Sequence, residues 1–196
     1  MRRRRSLLVG GVVVPGLLFA LALASAGAGP AGETRAARDA SAARETLREF
    51  DEFPLYDAGG RVDGLPLVAV NRRDDTAEFV SFVYGDCAAG GDAGCAPPAE
   101  IQVWPACRRS LALYGPGDAD GVAPELVGLR GVGGALFDEG TRLELETRGA
   151  TIVVFGDSRV RVLRIAKALR ALDGSVRAGA PLPPAARPGI GGATDC

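Results

Sequence analysis

The 196-residue chain contains no histidine, one methionine, one tryptophan and a single lysine, Lys167. The missing imidazole excludes the most. Serine and cysteine nucleophiles generally rely on an imidazole base, and zinc, copper and non-haem iron sites generally draw on imidazole nitrogen. Nearly all basic residues are arginines, which keep their proton at any relevant pH and so do not act as bases. Catalysis is left with carboxylates, tyrosine, cysteine and Lys167, and no metal or other cofactor is expected. Zinc is disfavoured further because the cysteines form no close pair: seven residues separate Cys87 from Cys95 and eleven separate Cys95 from Cys107.

What is present begins with an export signal. Arg2 to Arg5 are followed by an uncharged stretch from Ser6 to Gly32, with an apolar run from Leu7 to Ala24 and A-x-A cleavage patterns at Ala24-Ser25-Ala26 and Ala26-Gly27-Ala28. Residues 1–32 therefore read as a signal peptide or an N-terminal membrane anchor; the apolar run lies at the lower edge of what spans ~30 Å of hydrocarbon as a helix. Either outcome places the rest of the chain outside the cytoplasm, secreted or tethered by a single pass, because the arginines stay on the inner side. Setting those four arginines aside leaves 19 basic residues (23 less four) against 24 acidic ones. Such an acidic domain is a poor nucleic-acid binder, and it meets the membrane only through its N-terminal segment.

The exported part divides by composition. Residues 33–50 are rich in alanine and arginine, and Ala36, Ala40, Ala43, Leu47 and Phe50 form one weakly apolar helical stripe, read as a solvated spacer helix whose C-terminal end touches the domain, before a helix that pairs with a partner chain. Residues 51–174 are expected to form a globular α+β domain, a mainly antiparallel sheet covered by a C-terminal amphipathic helix. Leu67–Asn71 and Phe79–Tyr84 read as a hairpin whose second strand is covered on both faces, and Ile101–Trp104 as a strand ending at Pro105. Leu126–Arg130 reads as a strand before a glycine bend. Leu143 and Leu145 alternate with Glu144 and Glu146, which predicts the glutamates in solvent. Thr151–Phe155 is a continuous apolar strand, and Asp157 or Ser158 caps a helix expected to run to about Leu172 with Val162, Ile165, Ala166, Leu169 and Leu172 on the sheet. Residues 175–196, rich in proline, glycine and alanine, are expected to be a disordered tail.

Four cysteines in an exported chain suggest two bridges. If the strands flanking them pair antiparallel, Cys87 and Cys95 share one end while Cys107 lies ~20 Å away at the other. A disulfide spans only about 4.4 to 6.8 Å between Cα atoms, so Cys87 is expected to pair with Cys95. Cys107 and Cys196 remain: the tail folds back to bridge them, or Cys196 stays free or pairs between molecules.

Several motifs tempt a functional reading. Phe155-Gly156-Asp157-Ser158 resembles the nucleophile block of the GDS or SGNH serine esterases, whose serine needs a histidine that this chain lacks, so Ser158 is read as a helix cap. Asp118, Asp120 and Glu125 imitate a calcium loop without its remaining ligands. Glu144 and Glu146 imitate a glycosidase pair. Tyr84 and Trp104 are read as core aromatics before a binding shelf, and the basic helix face from Arg159 to Arg170 as a solvated surface before a docking site.

The strand, turn, strand and helix from Leu143 to Leu172 resemble the closing unit of membrane-tethered extracytoplasmic sheet domains of the anti-sigma regulator and lipoprotein-carrier types. The resemblance implies an envelope domain and carries no residue roles. The resulting expectation is a non-catalytic domain that binds a protein or small ligand of the cell envelope. Its alternatives are an extracytoplasmic hydrolase using Ser158 or carboxylates, and a thiol–disulfide redox protein.

Overall fold

The computed structural model of the protein describes residues 34–73, 78–86, 96–109, 111 and 122–185. Tight turns organise the strands. At Asp63-Gly64 and Arg130-Gly131 both central residues have positive φ, the backbone that lets a two-residue hairpin follow the right-handed twist of its strands. The first turn joins β2 (Arg61–Val62) to β3 (Leu65–Arg73), and the second joins β6 (Glu125–Leu129) to β7 (Val132–Phe137). With β4 (Phe79–Tyr84), β5 (Ala99–Pro105), β8 (Arg142–Glu146) and β9 (Ala150–Gly156), these make one eight-stranded sheet in the order β2-β3-β4-β5-β9-β8-β7-β6. Every neighbouring pair is antiparallel. The fold is α+β, as the composition and patterning predict.

Alternation along the strands divides the sheet into two faces. One carries Leu67, Phe82, Ile101, Val154, Leu143 and Leu136, all buried in a single cluster. Helix α2 (Arg159–Ala168) lays Val162, Ile165 and Ala166 into that cluster. Its N-cap is Ser158, whose side chain accepts a hydrogen bond from Arg161 N. The six residues of β4 are all buried, as expected of a strand covered on both sides.

Three expectations need correction. The first concerns 33–50. Helix α1 (Arg35–Thr46), capped by Thr34, buries Ala37 and Ala40 and packs on the same face near β3. Of the expected stripe, Ala40 lies in the core and Leu47 and Phe50 pack against it, while Ala36 is exposed and Ala37 is buried in its place; the segment belongs to the domain, with Arg44 ion-paired to the fully buried Asp57.

The second concerns the end of α2, which stops at Ala168 instead of Leu172. Leu169 turns to an extended conformation, and β10 (Arg170–Ala171) pairs with β1 (Tyr56–Asp57). The helix stops where long-range partners replace its own ladder: Ala171 N donates to Val176 O and Leu172 N to Leu55 O, both at 2.9 Å.

The third concerns the tail. Over 175–185 the chain is packed, with Val176 and Leu182 buried, and Pro184 bridges Thr147. Composition argues against self-burial there, but the side chain of Arg130 supplies polar anchors from outside the segment. It donates to Ala166 O, Leu169 O, Arg177 O and Ala180 O at 2.6 to 3.2 Å. One guanidinium thus satisfies carbonyls at the C-terminus of α2 and ties the following segment to the β6–β7 turn. Residues 186–196 lie outside the described residues.

Candidate functional site

The second face of the sheet holds the polar groups. Gln102 and Trp104 stand on it at alternate positions of β5, with Glu100 before them. Trp104 Nε1 donates to Gln102 Oε1 at 3.2 Å, and Gln102 Nε2 donates to Glu100 Oε1 at 3.0 Å. The bonds run along one strand and hold three half-buried side chains in one register. Phe79 of β4 stacks on the indole with ring centroids 4.4 Å apart.

Arg109 completes the arrangement. The chain turns after β5, Arg108 N and Arg109 N both donating to Pro105 O, and lies back over the sheet, where Thr151 Oγ1 donates to Arg109 O at 2.5 Å. The Arg109 guanidinium lies 5.1 Å from the Trp104 ring and donates to both carboxylate oxygens of Glu144, at 2.5 and 3.2 Å. Arg142 approaches Glu144 at 3.8 Å from the same strand and Asp138 at 3.1 Å, while covering the Phe137 ring. Glu146 accepts from Leu111 N at 2.5 Å.

Glu144 is therefore not solvated. It is fully buried, and a carboxylate removed from water requires cationic partners. Glu146 is half-buried and held by a backbone donor, so neither residue stands free to act as an acid or base. Tyr84 lies in the core as expected, its hydroxyl accepting from Ala58 N at 3.0 Å, and burial raises its pKa far above that of free tyrosine. Trp104 and Tyr84 point to opposite faces and share no surface.

The arginines of the expected basic helix face are paired within the chain. Arg159 forms a two-pronged pair with Glu125 at 2.6 and 2.7 Å. Arg161 and Arg164 both reach Asp63 at 3.0 Å, and their hydrogen bonds hold that carboxyl below its ordinary pKa. Arg170 lies 3.4 Å from Asp57. Glu125, the last residue of the calcium-like pattern, is committed to Arg159, while Asp118 and Asp120 lie outside the described residues. Among the described residues no group of three potential metal ligands occurs, and no helix is long and apolar enough to cross a membrane. Cys107 is disulfide-bonded; Cys87, Cys95 and Cys196 lie outside the described residues.

Among the described residues, two hollows adjoin the sheet. One of about 150 Å³ opens beside Phe79 between Phe50, Phe53 and Arg72. A wider one of about 770 Å³ is lined by Val122, Pro124, Phe137, Glu139 and the Glu125–Arg159 pair. Compared with protein-family models, with curated proteins and with solved structures, the chain shows no significant match.

Sequence reasoning missed Arg109, Arg130 and Asp57. Each is an ordinary charged residue whose partner lies far away in sequence, and nothing in the local pattern marks it. For Glu144 the local pattern pointed the wrong way, because strict alternation implies a solvated second face.

Proposed function

We propose that this is a non-catalytic domain working outside the cytoplasmic membrane, secreted or tethered through residues 1–32, and that it binds a protein or small ligand of the cell envelope with the sheet face that carries Trp104. The observation that carries the reading is the Glu100–Gln102–Trp104 strip, held by its own hydrogen bonds and flanked by the Arg109–Glu144 pair. Half-buried aromatic and polar groups already fixed in position lose little freedom when a ligand arrives, which favours recognition. The catalytic candidates are otherwise engaged: Ser158 caps α2, Lys167 lies nine residues along the same chain segment and on its far side, and Glu144 is ion-paired.

Two measurements test this. A serine-reactive fluorophosphonate should leave the purified domain unlabelled, and labelling at Ser158 would reverse the choice in favour of a hydrolase. Capture from envelope extracts by the full-length protein should be lost with Trp104→Leu, circular dichroism being unchanged. A partner that binds both proteins equally well would place recognition elsewhere. Finding the unprocessed chain in the cytosol with its thiols reduced would overturn the extracytoplasmic assignment.

A further inference from the structure

We infer that β6, the open edge of the eight-stranded sheet, pairs antiparallel with β6 of a second copy of this chain. A free strand edge presents unpaired backbone donors and acceptors, and folded proteins guard such edges with charges, proline, bulges or a covering helix. The opposite edge is guarded in these ways. There β2 is only two residues long, β3 carries a bulge between Leu67 and Ala69 and ends in Arg72 and Arg73, and α1 packs beside it. Along β6 no such device occurs. The strand pairs with β7 from Glu125 to Leu129 without a register shift and bears no charge after Glu125. It carries Leu126, at 80% exposure the barest large hydrophobic side chain among the described residues.

The hairpin fixes which backbone groups point outward. In a two-residue hairpin the flanking residues, here Leu129 and Val132, exchange both of their hydrogen bonds, and bonded positions then alternate along the strand. Leu129, Val127 and Glu125 therefore turn their backbones to β7, while Leu126 and Gly128 offer N–H and C=O to the open side. Pro124, the next outward position, has no N–H and ends the row of donors. An antiparallel partner centred on Val127 meets both outward residues at once. Leu126 opposes Gly128 of the second copy, Gly128 opposes Leu126 of the second copy, and each pair exchanges both of its hydrogen bonds.

Shape and charge select this chain as the occupant. By its register through Ala135, Glu144 and Val153 to Gln102, Leu126 projects from the sheet face that carries Trp104. In the paired arrangement it lies over Gly128 and Gly133 of the second copy, which are neighbours on that face and where the space a Cβ would take is open. One strand thus supplies both the knob and the bare strip that receives it. The antiparallel register holds the two Glu125 residues ~14 Å apart, beyond a Debye length, and each carboxylate is bound to Arg159 of its own chain. The Arg130–Gly131 turn of the second copy arrives opposite Pro124, at the hollow lined by Pro124, Glu125 and Glu139. Arg130 binds carbonyl oxygens, and among the described residues neither it nor Glu139 makes an ion pair, so the turn brings positive charge to a negative rim. A two-fold contact uses one patch twice and closes at a dimer. It joins the two sheets edge to edge with both Trp104 strips on the same face.

The test is independent of the binding reading. Sedimentation velocity of the full-length protein, in mild detergent so that residues 1–32 do not associate, should show a concentration-dependent equilibrium of monomer and dimer. Leu126→Lys places a charge at an exposed edge position, and Gly128→Pro removes an outward donor while leaving the β6–β7 bonds intact. Each should raise the dissociation constant about tenfold or more with circular dichroism unchanged, whereas Trp104→Leu should leave it unaltered. As a second readout, hydrogen exchange at the Leu126 and Gly128 amides should slow with rising protein concentration far more than exchange at Val127. A chain that is monomeric throughout, a dimer indifferent to both edge variants, or an extended segment of another protein bound along β6 of a monomer overturns the proposal and leaves the Trp104 reading standing.

Discussion

Replacing Asp57 decides whether α1 is part of the folded domain. Its carboxylate is fully buried and accepts from Arg44 Nη2 at 3.3 Å and Gly59 N at 3.0 Å, with Arg44 Nε in shorter contact and Arg170 Nε at 3.4 Å. Stranding one member of a buried ion pair costs about 3–5 kcal/mol. In Asp57→Ala the stranded groups are arginines. Arg170 is 43% exposed and can turn to water, whereas Arg44 is only 16% exposed, so the expected loss is about 3 kcal/mol, at the lower end of that range. Arg44→Ala leaves Asp57 with Arg170 and Gly59, and the expected loss is about 1–2 kcal/mol. For a domain of this size the larger loss lowers Tm by roughly 6–12 °C. Urea unfolding followed by the fluorescence of the single tryptophan, Trp104, measures both variants, with the denaturant slope unchanged. If residues 33–50 were a solvated spacer, Arg44→Ala would be neutral. A loss under ~1 kcal/mol for Asp57→Ala, with no coupling between the two substitutions, would refute the argument.

Other outcomes follow from the same contacts. Burial raises the pKa of Tyr84 in the folded state, so its contribution is fully present below the unfolded value of ~10 and is lost as pH rises above it; Tyr84→Phe should flatten the alkaline arm of a stability-versus-pH curve, and an identical arm would contradict this. Arg130→Lys keeps the charge but cannot reach four carbonyls at once, so hydrogen exchange at Leu182 N, which donates to Arg130 O, should accelerate together with the end of α2. Protection unchanged across 176–182 would mean that the anchor lies elsewhere. Arg109→Ala leaves Glu144 buried with Arg142 at 3.8 Å and should cost about 2–4 kcal/mol while altering Trp104 emission; adding Glu144→Leu should recover much of that loss, and failure to recover any would argue against the pair as its source.

Locally periodic features were legible. The β4 hydrophobic run, the β8 to α2 ending and the Ser158 cap each depend on residues within one turn or one strand of each other, so spacing alone points to them. The turn after Leu129 could be read because Gly131 tolerates the backbone it needs. Helix α1 was legible as a helix but not as part of the core, since alanine buries too little area to announce a packed face. Trp104 was read as a core aromatic before a shelf, yet it stands half-buried on the second face, outside the core cluster. Its actual setting depends on Arg109, which the chain returns to the sheet only after the turn beyond Pro105.

The sequence by itself determined that imidazole chemistry is unavailable, that the body is an antiparallel sheet under a helix, and roughly where β3, β4, β5, β6, β8 and β9 lie, while β1, β2, β7 and β10 went unread. Those properties follow from side-chain identity and short-range periodicity. Tertiary structure alone decided where the charges go: Asp57 to Arg44, Glu144 to Arg109, Asp63 to α2, and Arg130 to four distant carbonyls. Ion pairs and long-range hydrogen bonds depend on which segments the fold brings within a few ångströms, and sequence separations of 13 to 101 residues leave no periodic trace. The same contacts turned an apparent spacer and part of an apparent tail into working parts of one domain.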